Sequence, residues 1–203
     1  MHVTHAKVKT ARGAITRLSL RVLSSSARRG RLEAPGVSVP CALGRTGITR
    51  LKREGDGATP AGGLRILGGW YRPDRFRVRP AGALPLRPLR RDDGWGDDPA
   101  DRNYNRWVRR PYPSSHEALW RDDGLYGVVL VLDWNLRPRA RGRGSAIFFH
   151  LERPDGGPTA GCVAVSEADM RRLLARLAPG AVLHVGGGPG RPLGSAPVRS
   201  PRR

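Results

Sequence analysis

Two residues in this sequence, His150 and Cys162, have types and spacing that suit nucleophilic chemistry. A thiol attacks as its thiolate, so it needs a group that takes the proton and a fold that brings that group within reach. The stretch Ala146 to Val165, AIFFHLERPDGGPTAGCVAV, offers both. The apolar run Ala146-Ile147-Phe148-Phe149 reads as a strand that delivers His150. A loop rich in Gly and Pro then turns the chain, and Thr159-Ala160-Gly161-Cys162 leads into a second short apolar strand, Val163-Ala164-Val165. A strand, a return and a strand set the imidazole beside the sulfur. Gly161 leaves the backbone uncrowded there, and the amides of Gly161 and Cys162 are expected to face a developing oxyanion. The competing reading of the same residues is a buried core thiol and a satisfied core histidine, because free cysteines are among the most buried residue types.

His150, then Gly161-Cys162 after a Gly-rich loop, then a strand and a helix opening with Ser166-Glu167-Ala168-Asp169, resemble the catalytic signature of the L,D-transpeptidases, the YkuD-like family of peptidoglycan cross-linking enzymes. The family pattern reads His, a variable loop, then Ser-His-Gly-Cys, an aliphatic residue and Arg. Here Thr159 takes the Ser place, Ala160 stands where the second His falls, and Ala164 stands where the Arg falls. Cys162, His150 and Gly161 therefore carry over as the catalytic set, while donor recognition by the second His and the Arg does not. Upstream, Gly57-Ala58-Thr59-Pro60-Ala61-Gly62 resembles the family's Thr-Pro-x-Gly turn.

The resemblance implies a mainly β fold, a β-sandwich or mixed-sheet domain with one capped helix after the catalytic Cys. It implies a cysteine acyltransferase: Cys162 attacks the carbonyl at the third residue of a stem tetrapeptide, expels the terminal D-alanine, and passes the thioester-bound acyl group to an amine on a neighbouring stem. Water as acceptor would make the same site a thiol carboxypeptidase or amidase. Thr159, His116 and Asn135 are the candidate substrate contacts. A carbapenem is expected to acylate the sulfur, and a periplasmic or envelope location is implied. Met1 to Gly13 carry no apolar h-region and no small-residue cleavage site, so no signal peptide is legible.

The elements that must position these residues follow from periodicity. Ile15 to Leu23 alternate as a half-buried strand, and Gly36 to Leu43 do likewise, with Pro40 marking an edge or bulged strand. In that alternation Cys41 is a core thiol. Leu64-Arg65-Ile66-Leu67 follows the Thr-Pro turn as a third strand, and Phe76 to Arg79 is a candidate fourth. Residues 88–124 read as an irregular insertion rich in Asp, Arg, Pro and aromatics. Its Trp95, Trp107 and Trp120 either line a groove for a peptide or glycan or anchor the segment to the core. Leu125 to Leu132 is a continuous apolar run and the expected central strand, ended by the turn Asp133-Trp134-Asn135. Ser166 caps a helix with Met170, Leu173, Leu174 and Leu177 on its apolar face, stopped by Pro179-Gly180. Ala181 to Val185 is a last strand. The organisation is thus a flexible basic N-terminus (1–13), one catalytic domain (14–185) and a disordered basic tail (186–203).

With 203 residues and 38% hydrophobic content, the chain has one domain's worth of core, and its 27 Gly and 18 Pro favour a loop-rich β protein over a helical bundle. No run is long enough to cross a bilayer as a helix. The net charge of +20 invites a polyanion partner, yet all but Lys7, Lys9 and Lys52 of the 37 basic residues are Arg, scattered rather than striped. No helix-turn-helix or zinc spacing accompanies them, so specific nucleic-acid binding is not expected. An anionic wall or membrane surface remains a candidate partner. A non-catalytic basic domain that binds wall polymer or nucleic acid is the alternative from outside enzymology. The scattered histidines give no metal site, and no cofactor is called for.

Overall fold

The computed structural model describes residues 13–22 and 24–186. The expectations for the N-terminal dozen residues and for the tail from 187 onward lie outside the described residues.

The chain is mainly β, with β1 (Ile15–Arg21), β2 (Arg29–Ala34), β3 (Val37–Ala42), β4 (Ile48–Thr49), β5 (Thr59–Pro60), β6 (Gly62–Tyr71), β7 (Leu86–Pro88), β8 (Asp93–Gly96), β9 (Arg106–Arg109), β10 (His116–Ala118), β11 (Val128–Leu132), β12 (Phe148–Leu151) and β13 (Val163–Val165) ahead of helix α1 (Glu167–Leu174) and β14 (Leu177–Val185). The large sheet runs β11-β12-β13-β3-β2-β1-β14-β6-β7, and β6 pairs back to β11, so eight strands close into a ring with β7 beside β6. The β12/β13, β1/β14 and β6/β7 pairs are parallel and the other pairs in this sheet are antiparallel, which makes the sheet mixed. Closure leaves few unpaired edges, and α1 docks Met170, Leu173 and Leu174 into the core that the ring encloses.

The alternating residues of β1 and β3 follow the pattern expected of half-buried strands, and Cys41 is fully buried. Pro40 is tolerated because β3 pairs with β2 along its length but touches β13 only at Ala42. β11 is apolar throughout because both its faces are covered. Val128, Leu130 and Leu132 face the enclosed core, whereas Val129 and Val131 face a second apolar cluster with Leu89, Trp95, Leu119, Tyr126, Phe148 and Cys162.

The covering layer on that second face is the segment expected to be irregular. Residues 88–124 instead carry a small antiparallel sheet, β10-β8-β9, in which Glu117 lies opposite Trp95 and Trp95 opposite Trp107. Trp95 is an anchor, packing edge-on against Phe148 at 5.2 Å. The guanidinium groups of Arg72 and Arg91 both lie over the Trp120 ring, and Trp107, 46% exposed, bonds Asp93 through its indole N–H. Phe76 to Arg79 form no strand; Phe76 is buried under Arg171. The helix also ends sooner than expected. Ala175 is its C-cap, Leu177 opens β14, and Pro179-Gly180 lie within that strand, where a register shift against β1 and the positive φ of Gly180 accommodate them.

Candidate active site

The parallel pairing of β12 and β13 sets Phe149 against Val163 and His150 against Ala164. Side chains alternate along a strand, so Phe149 and Leu151 enter the enclosed core while Phe148 and His150 point to the other face. Cys162, just before β13, packs beside Phe148 on that same face. His150 and Cys162 therefore line one cavity of about 660 Å³. Exposed Arg45, Gly55, Arg153 and Ala160 also line it, so the space is continuous with the surface.

Cys162 is 7% exposed. Its Sγ donates to the Ala146 carbonyl at 3.2 Å and accepts from the Phe148 amide at 3.3 Å. Burial, helped by the nearby Glu117 carboxylate and opposed by the Phe148 N–H and Lys52, pushes the thiol up to about 12. His150 is 4% exposed, and burial pulls its imidazole down to about 4. Its Nδ1 lies 2.7 Å from the Leu151 carbonyl, which can only accept. The proton therefore sits on Nδ1, and Nε2 carries the lone pair. At neutral pH both groups are neutral: a protonated thiol and an imidazole poised as a base. The thiol proton points at Ala146 rather than His150, an arrangement common in free enzymes, where catalytic hydrogen bonds tighten only around substrate.

The bend that presents the sulfur is fixed from two directions. Thr159 Oγ1 donates to the Cys162 carbonyl at 2.8 Å and accepts from the Gly161 amide at 3.1 Å. That amide, expected at the oxyanion, is thus already engaged. From the other side Thr59 Oγ1, which accepts from the Gly44 amide at 2.8 Å, donates to the same carbonyl at 3.3 Å. The Thr-Pro turn and the Gly-Cys turn, about a hundred residues apart, are therefore two halves of one support. Gly161 has φ +140°, and a Cβ there would fall 2.9 Å from the Ala58 carbonyl, so only glycine fits. The same Cβ would lie 3.4 Å from Lys52 Nζ; Lys52 is buried, ion-paired to Asp56, and places positive charge beside the turn.

The family model described as YkuD, the L,D-transpeptidase catalytic domain, matches residues 22–185. The chain belongs to this family. Neither the curated proteins nor the solved structures compared with the chain gave a match.

Of the site residues expected of an L,D-transpeptidase-type domain here, Cys162, His150 and Thr159 line the cavity and Gly161 shapes it. His116 and Asn135 do not line it. His116 bonds the Ser114 carbonyl and lies with Tyr112, Arg91 and Arg110 in a separate shallow groove, because it pairs with Gly96 at the far end of β10. Asn135 has φ +50°, and its side chain closes the 135–144 loop by bonding Ala140 and Gly144. Sequence reasoning missed Lys52, Glu117, Arg121 and Tyr126, which share the cavity, and Asn105. Asn105 Oδ1 accepts from the Ala146 amide at 3.1 Å and holds the residue whose carbonyl takes the thiol proton. No local pattern marks these residues, since each reaches the site through a contact distant in sequence.

Proposed function

We propose that this domain is a cysteine acyltransferase that cross-links peptidoglycan stem peptides through a Cys162 thioester. The observation that carries this reading is the single cavity that His150 and Cys162 both line, with the His150 proton held on Nδ1 by the Leu151 carbonyl so that Nε2 is left as the base. In the first half-reaction the thiol gives its proton to His150 Nε2 as sulfur attacks the donor carbonyl. His150 then protonates the departing D-alanine amine as the C–N bond breaks, leaving a thioester. In the second, an acceptor amine attacks the thioester, gives its proton to His150, and expels the sulfur, which recovers the proton. Lys52 supplies positive charge near the developing oxyanion. This chemistry belongs in the cell envelope, where the polymer is.

The test is mass analysis of products from purified stem tetrapeptides, with and without an acceptor amine, for the wild type and Cys162→Ala. A cross-linked dimer and free D-alanine, both absent in the variant, support the proposal. Tripeptide alone, whatever the acceptor, makes the protein a carboxypeptidase. Wall-polymer binding that persists in Cys162→Ala without any turnover makes it a binding module.

A further inference from the structure

Among the described residues His150 is held at one nitrogen, by the carbonyl of the residue that follows it. A single bond of this kind leaves the ring's far edge to be oriented by packing. The packing partner is Tyr126, whose ring meets the imidazole edge-on at 5.2 Å and 78° and meets Phe148 at 5.8 Å. Tyr126 is in turn tied down at its tip: its hydroxyl donates to Glu117 Oε1 at 2.6 Å, a short charge-assisted bond. Glu117 belongs to β10 of the insertion sheet and lies opposite Trp95, the residue that packs on Phe148 next to Cys162. The other charges near this carboxylate are Arg121, Asp123 and Asp97. Arg121 is engaged mainly by Asp123 and reaches Glu117 at only 3.4 Å, so Tyr126 is the close partner. Glu117 is half-buried, and an apolar residue would cover this face without the cost of partly desolvating a carboxylate, which points to a positional role for its hydrogen bond to Tyr126.

We propose that Glu117 and Tyr126 are positioning residues for the general base, with Glu117 fixing the Tyr126 ring and Tyr126 fixing the orientation of the His150 imidazole. The insertion sheet is then part of the catalytic apparatus rather than a cover. This inference rests on the Cys162–His150 reading, and the experiment separates the two.

The probe is iodoacetamide, and the readout is the rate of single alkylation of Cys162 by intact mass across pH 6 to 9, with Cys162→Ala as the blank. In this reaction the sulfur–carbon bond forms, iodide leaves, and the thiol proton passes to the base, so no assumption about substrate is needed. His150→Ala is expected to slow alkylation and alter its pH profile. Tyr126→Phe keeps the ring but loses the tether and is expected to be slower by about tenfold or more, as misplacement of a catalytic group costs. Glu117→Gln keeps an acceptor for the hydroxyl but replaces the charge-assisted bond with a neutral one, and is expected to lose less rate than Glu117→Ala, which falls with Tyr126→Phe. A second adduct, on buried Cys41, would report unfolding, so loss of rate is scored on singly modified protein. If His150→Ala slows alkylation but Tyr126→Phe does not, or if Glu117→Ala behaves as Glu117→Gln, the positioning inference is overturned and the base reading stands. If His150→Ala matches the wild type, both fall.

Discussion

His150 is held in its neutral form by its surroundings. Burial holds the folded imidazole near 4, against an ordinary value of 6.5. As pH falls through this window the unfolded chain takes up the proton first, so the native state loses stability between about 6.5 and about 4 and recovers it fully above. The contribution at stake is about 3 kcal/mol. Urea unfolding at pH 7 and pH 4.5 is expected to show this loss in the wild type and a smaller one in His150→Gln, which has no proton to gain. Equal losses would mean that the imidazole is not buried as described. Cys162 and Cys41 act at the other end: both thiols are raised to about 12, so the unfolded chain loses those protons first and stability declines as pH climbs above about 9.

Among the elements, the two turns that meet at the Cys162 carbonyl matter most. Thr59 is fully buried, with its hydroxyl spent on the Gly44 amide and the Cys162 carbonyl. Thr59→Val keeps the shape and removes both bonds, leaving a buried amide without its partner. A loss of about 1 to 3 kcal/mol is expected in chemical denaturation, with a larger fractional loss of Cys162 reactivity than of secondary structure. Stability within 0.5 kcal/mol of wild type, on the order of a surface substitution, would contradict the support role. The strands around this support differ in how legibly the sequence encodes them. β1, β3 and β11 announce themselves because their buried residues alternate or run continuously, and Ser166 marks the start of α1 through its own side chain, which accepts from the Asp169 amide. β8 reads as a loop, since Gly94 and Gly96 have no side chains to pattern; they are needed because Val108 and the Asn103 carbonyl crowd them. β10 offers only three residues. Glu117 and Tyr126 likewise look like an ordinary surface charge and a core aromatic until the small sheet folds over β11 and β12.

For the molecule as a whole, the ring of strands encloses one core and presents its β11–β12 face to a second, which holds Cys162 and packs Tyr126 against His150. That placement explains why a buried thiol and a buried imidazole still share a cavity open to solvent. The surface is strongly basic, and its exposed ion pairs, such as Arg21–Glu33 and Arg153–Asp155, add little to stability. The central claim is that Cys162 is the nucleophile, and intact-mass measurement after incubation with a carbapenem tests it most directly. A single covalent adduct is expected on the wild type, none on Cys162→Ala, and slower formation on His150→Ala. An adduct that persists in Cys162→Ala would contradict the account.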